Sequence, residues 1–153
     1  MLRDDDQPFT FDITSRNREG TQTHRLEIFD TSSPLNFTLL RPSMIILSYD
    51  ISDYDSLRDV HGRWKHLVET HFNYHESMPV MLLGLKRDLR TVDNVHPQEA
   101  LRVAAEMRCD RYAECSALTG ELCAEVFEDI VKMAVETTKG FGGGRTKGAC
   151  CVM

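Results

Sequence analysis

No run of lysine or arginine occurs in this chain that could form a cationic face, and the formal net charge is -6. That excludes the phosphate-neutralising surface a DNA or RNA partner requires, and no nucleic acid is expected as ligand. The five cysteines are odd in number and irregularly spaced. They make neither a disulfide framework nor a Cys-x-x-Cys zinc pattern, and a reducing setting follows. The first residues, with Asp4-Asp5-Asp6, hold no apolar leader core, and no stretch approaches the roughly 18 apolar residues of a membrane span. Membrane contact is expected only through an added lipid. A Gly-x-Ser-x-Gly elbow and a metalloprotease helix motif are also missing.

What is present has the composition of one globular domain: 153 residues, 41% hydrophobic and 27% charged. Phe9, Phe11 and Ile13 alternate with polar residues, turn residues follow through Gly20, and Leu26 and Ile28 alternate again before Asp30. This predicts an antiparallel hairpin. Met44-Ile45-Ile46-Leu47 and Val80-Met81-Leu82-Leu83 are continuous apolar runs of the kind buried on both faces of a parallel sheet, and Tyr112-Ala113-Glu114-Cys115 is a weaker third.

Helices are expected between the runs. Asp55-Ser56 announces the first, with Leu57, Val60, Trp64, Leu67, Val68 and His71 on one stripe. Pro97 opens the second, with Ala100, Val103, Ala104 and Met107; the third follows Gly120 with Leu122, Val126, Phe127, Ile130 and Met133. Alternating strands and helices predict an open α/β sheet with flanking helices, spanning residues 9–138. Residues 139–153, rich in glycine, read as a flexible tail. His61, His66 and His71 advance by fives, scatter around a helix and read as surface histidines.

In such sheets ligands bind beyond the carboxyl ends of the strands. Three segments stand there: Asp30-Thr31-Ser32-Ser33-Pro34, Gly84-Leu85-Lys86-Arg87-Asp88-Leu89-Arg90, and Cys115-Ser116-Ala117-Leu118. In this order they resemble the metal and switch motif, the guanine-recognition motif and the base-supporting motif of the Ras superfamily. Leu40-Arg41-Pro42, Trp64, Asp88-Leu89-Arg90 and residues 114–119 are similar to the Rho family, and Ser116-Ala117-Leu118-Thr119 to its Rac-like members. The pattern around Ser33 and Pro34 resembles the hydrolysis-deficient Rnd subgroup.

The resemblance implies a P-loop-NTPase-like fold that binds GTP or GDP with magnesium. Asp88 would accept the two donors on the guanine edge, Lys86 would lay its alkyl stem along the base, and the Ala117 N–H would donate to the guanine carbonyl, with Ser116 and Leu118 beside it. Asp30 would support the metal through water. No residue is assigned a catalytic role.

Departures qualify this. The 153 residues contain no Gly-x-x-x-x-Gly-Lys-[Ser/Thr] segment, and they begin near the family's second strand. The family's first strand, phosphate loop and first helix are therefore expected to be missing, leaving a gap between the hairpin and residues 44–47. Leu85, Ser33 and Pro34 replace residues that in the family tie the guanine loop, bind the γ-phosphate and position the attacking water. Weak nucleotide binding and little or no hydrolysis are expected.

The final Cys150-Cys151-Val152-Met153 is a Cys-a-a-X box whose terminal Met favours a farnesyl group on Cys150. A prenyl anchor implies the cytoplasmic face of membranes with a cytosolic pool, and Rho-type regulators and effectors as partners. A nucleotide-free, membrane-tethered module competing for those partners is the alternative.

Overall fold

The computed structural model describes residues 7–17, 20–30, 42–72, 78–139 and 148–152. Ser33, Pro34, Leu40, Arg41 and the glycines at 140–144 lie outside the described residues.

The hairpin is formed by β1 (Phe9–Asn17) and β2 (Gly20–Asp30), antiparallel, with Phe9 opposite Ile28 and Asn17 opposite Gly20. The apolar runs become β3 (Met44–Asp50) and β4 (Val80–Leu85), and β5 (Arg111–Glu114) starts and stops one residue earlier than the sequence pattern placed it. β3, β4 and β5 pair in parallel.

Burial on both faces explains the continuous apolar runs. Ile45, Leu47, Val80 and Leu82 face one core, with Leu57, Val68, Ala100 and Val103 from helices on that side. Met44, Ile46, Met81 and Leu83 face the other, with Val126, Ile130 and Ala134. The period of two along each strand divides its side chains between the two cores. Phe11 of the hairpin, though exposed, meets Phe127 at the edge of the second core, ring centroids 5.9 Å apart.

The first helix starts as α1 (Tyr54–Asp59), capped by Asp53, whose carboxylate accepts the Asp55 N–H at 2.9 Å. It then widens into a π-helical turn, Val60–Trp64, before continuing as α2 (Lys65–His71). The wide turn shifts the apolar stripe, so Val60 and Val68 are buried while Trp64 and Leu67 pack only partly against the core. α3 (Pro97–Glu106) carries its proline in the first turn, as expected. α4 (Cys123–Lys139) begins after Leu122, which has a left-handed backbone (φ 58) and so lies outside the helical stripe.

One finding corrects the sequence reading. Gly148–Val152, expected to belong to the tail, forms a sixth strand, β6. The sheet order is β1-β2-β6-β3-β4-β5, so β6 lies between the hairpin and β3, parallel to both neighbours. The expected gap is filled by the chain's own late residues. The physical reason is backbone satisfaction: unpaired N–H and C=O groups along β2 and β3, beside Leu26 and Met44 at 2% and 0% exposure, would be costly in the interior.

Candidate nucleotide site

The loops after β4 and β5 lie side by side at the carboxyl end of the sheet. Arg87 N–H donates to the Cys115 carbonyl at 3.1 Å, and Cys115 N–H to the Gly84 carbonyl at 2.9 Å. Lys86 turns the chain with a left-handed backbone, φ 58 and ψ 44. A single 3-10 turn, Arg87–Leu89, then brings Asp88 out to solvent. A lysine held in that conformation is an uncommon strain, and such strains gather at functional loops.

Ser116 is fully buried. Its hydroxyl donates to an Asp88 carboxylate oxygen and accepts the Thr119 N–H at 3.2 Å. Ser116 thus fixes the direction of Asp88 from behind. Ala117 and Leu118 stand exposed on the rim, Leu118 at 83%. Gly120, at φ 77, closes the loop by donating to the Ser116 carbonyl at 2.9 Å. Lys86, Asp88, Ser116, Ala117 and Leu118 are therefore brought together by two adjacent loops.

Two partners were not singled out from the sequence. The Lys86 ammonium lies 2.6 Å from Asp50 at the end of β3. The hydrogen bond and charge of Asp50 raise the Lys86 pKa. Burial pushes the Asp50 carboxyl up, but hydrogen bonds from Lys86 and Ser52 outweigh it and leave that group below its ordinary value. With its head anchored there, the lysine extends its alkyl stem across the strand ends. Asp50 follows an apolar run, so the rule that ligand sites gather at strand ends could have found it.

Glu114, with a side chain only 11% exposed, gathers the other loop residues. It takes ion pairs from Arg90 and Arg87 and a hydrogen bond from the Tyr112 hydroxyl. Arg87 also pairs with Glu121, joining the two loops a second time. Leu85 packs toward the core beneath α4 while its carbonyl accepts the Ile51 N–H at 3.0 Å.

Asp30 ends β2, exposed, with its carbonyl accepting from the Gln7 side chain at 2.9 Å. Among the described residues no three His, Cys, Asp or Glu side chains converge as a metal site. Cys150 is in the backbone of β6, in register with Ile28 and Met44. No helix among the described residues is long and apolar enough to cross a membrane.

The pattern of the Ras family matches residues 6–136, most of the chain. The chain belongs to the Ras family. It is similar to the GTP-binding protein RHO2 of Saccharomyces cerevisiae, 28% identical over 143 residues that cover 84% of this chain and 70% of that protein. It is also similar to the GTP-binding protein rho2 of Schizosaccharomyces pombe, 27% identical over 147 residues covering 84% and 72%. Both are Rho proteins, in agreement with the Rho-type motif at Asp88-Leu89-Arg90. This Rho-type member of the Ras family keeps an open, largely parallel sheet with helices on both faces.

Proposed function

We propose that this chain is a Rho-type guanine-nucleotide-binding signalling protein in which these 153 residues carry the guanine half of the site without its phosphate half. The observation that carries the reading is the exposed Asp88 carboxylate, oriented by buried Ser116 beside the open rim of Ala117 and Leu118.

In this reading Asp88 accepts the ring N–H and exocyclic amine of guanine as a bidentate pair. The Lys86 stem covers one face of the base, and the Ala117 N–H donates to the carbonyl oxygen that adenine lacks. None of these groups attacks phosphorus or moves a proton, so they supply recognition alone.

The phosphate half needs backbone N–H groups and a lysine from a glycine-rich loop. A complete site of nanomolar affinity is worth about -12 kcal/mol. Five charge-assisted hydrogen bonds at about 1.5 to 3 kcal/mol each account for most of that. These 153 residues alone are therefore expected to bind GDP in the millimolar range or not at all, and Pro34, lacking a side-chain polar group, leaves GTP hydrolysis weak or absent.

A farnesyl group on Cys150 would give marginal, reversible attachment to the cytoplasmic face of membranes, where Rho-type regulators and effectors would meet it. Titration of the purified chain with a fluorescent GDP analogue and magnesium tests the nucleotide reading. No saturation below about millimolar is expected, and submicromolar binding would overturn the divided site. Replacing Cys150 by Ser should move the protein off membranes; unchanged partition would remove the lipid.

A further inference from the structure

One segment has two incompatible uses. Gly148–Val152 contains Cys150, the residue read as the lipid acceptor, and the same segment is β6. Cys150 is paired on both sides, with Ile28 of β2 and Met44 of β3; Cys151 lies between Phe29 and Ile45, and Val152 between Asp30 and Ile46. Among the described residues no direct pairing joins β2 to β3, and β6 alone links the hairpin to the rest of the sheet.

A strand paired along both edges has its backbone donors and acceptors engaged and is walled by neighbouring chain. An enzyme that modifies a Cys-a-a-X box must take hold of those same final residues. We infer that the slot between β2 and β3 is a strand-binding site for Gly148–Val152, and that sheet docking and lipid acceptance by Cys150 exclude one another. The lipid half of this proposal rests on the reading of Cys150 given above; the docking half does not.

The covalent step requires the released state. The Cys150 thiol gives its proton to solvent, and its sulfur forms a C–S bond to the allylic carbon of an isoprenyl diphosphate. The C–O bond to the diphosphate breaks and diphosphate leaves. If only the released fraction of chains reacts, the rate falls in proportion to that fraction. Once lipidated, the segment is held away from the slot, which is then open to another extended peptide running in the same direction.

The test uses the full chain, a farnesyltransferase and farnesyl diphosphate, with a synthetic peptide of the final residues as reference. Hydrogen exchange read by mass spectrometry reports docking independently of lipid chemistry. Backbone amides of the tail should exchange slowly in the intact chain, and transfer to it should be at least about tenfold slower than to the peptide. Ala149→Pro removes an N–H of β6 outside the Cys-a-a-X box, and should bring both exchange and transfer to the level of the peptide.

Should that variant fail to fold, inserting twenty Gly/Ser residues into the connection at 140–147 leaves the sheet and the signal untouched. It lowers the effective concentration of the tail about sixfold and should speed transfer by a similar factor. Tail amides exchanging at the free-peptide rate in the intact chain would overturn docking. Protected amides with transfer as fast as to the peptide would overturn the exclusion. No transfer even to the peptide would overturn the lipid reading and the exclusion with it, while docking stands or falls on exchange.

Discussion

A Cβ added to Gly84 would stand 2.9 Å from the hydroxyl oxygen of Tyr49, its register partner on β3. The same atom would lie 3.2 Å from Cγ of Glu114. Glycine is needed here because a core aromatic lies directly over the backbone. Gly84→Ala should lose about 1 to 3 kcal/mol of stability, the range for overpacking a filled site. Gly62→Ala, with nothing within 4 Å of the added carbon, should lose none. Urea midpoints of the two variants check the contrast.

The Tyr49 and Tyr112 hydroxyls are 3.0 Å apart. Burial pushes Tyr49 up to about 12, and burial together with donation to Glu114 also pushes Tyr112 above its ordinary value. A folded-state value above the unfolded one means that the folded chain holds these protons more tightly. The stabilisation is complete below about pH 10 and is lost as pH rises from there toward about 12 for Tyr49. Phenolate absorbance from these two residues should therefore appear only with alkaline unfolding. Their smooth ionisation in a folded chain near pH 10 would contradict the burial.

Glu114 holds two arginines from an almost buried position, whereas Asp12 and Arg25 pair across the exposed face of the hairpin with side chains 53% and 58% exposed. Removing one member of a buried pair leaves the other uncompensated. Glu114→Gln should cost about 2 to 4 kcal/mol and loosen the loop that carries Asp88. Asp12→Ala should leave the unfolding midpoint essentially unchanged. Denaturant titration of both variants tests this ordering.

Asp88 sets the preference for a base in the proposed reading. At ligand concentrations of about millimolar, saturation-transfer NMR should detect GMP in preference to AMP. Asp88→Asn should abolish that preference and favour xanthine monophosphate, because the amide offers a donor to the oxygen that replaces the guanine amine. Equal signals from GMP and AMP with the unaltered chain would refute the role of Asp88.

Much of this was legible in the residues because its causes are local. The alternation of Phe9, Phe11 and Ile13 marks the hairpin, and Pro97 marks the start of α3. The loops that carry Asp88 and Ser116 were legible because each follows a strand, the first of them strongly apolar. Other features depend on distant partners. Nothing in the residues 60–64 announces the wide turn that interrupts the helix. A lysine gives no warning of a left-handed backbone, yet Lys86 adopts one where Asp50 holds its head. Gly148-Ala149-Cys150-Cys151-Val152 has the composition of a tail, and its role as a strand is set by the space between β2 and β3.

Because β2 meets β6 along Leu26–Asp30 and β6 meets β3 from Cys150 onward, the pairing that joins the hairpin to the remaining strands forms only once the residues of β6 have been synthesised. Until then the inner edges of β2 and β3 stay open. Edges left open in this way favour association with other chains during synthesis, whatever the finished molecule's stability.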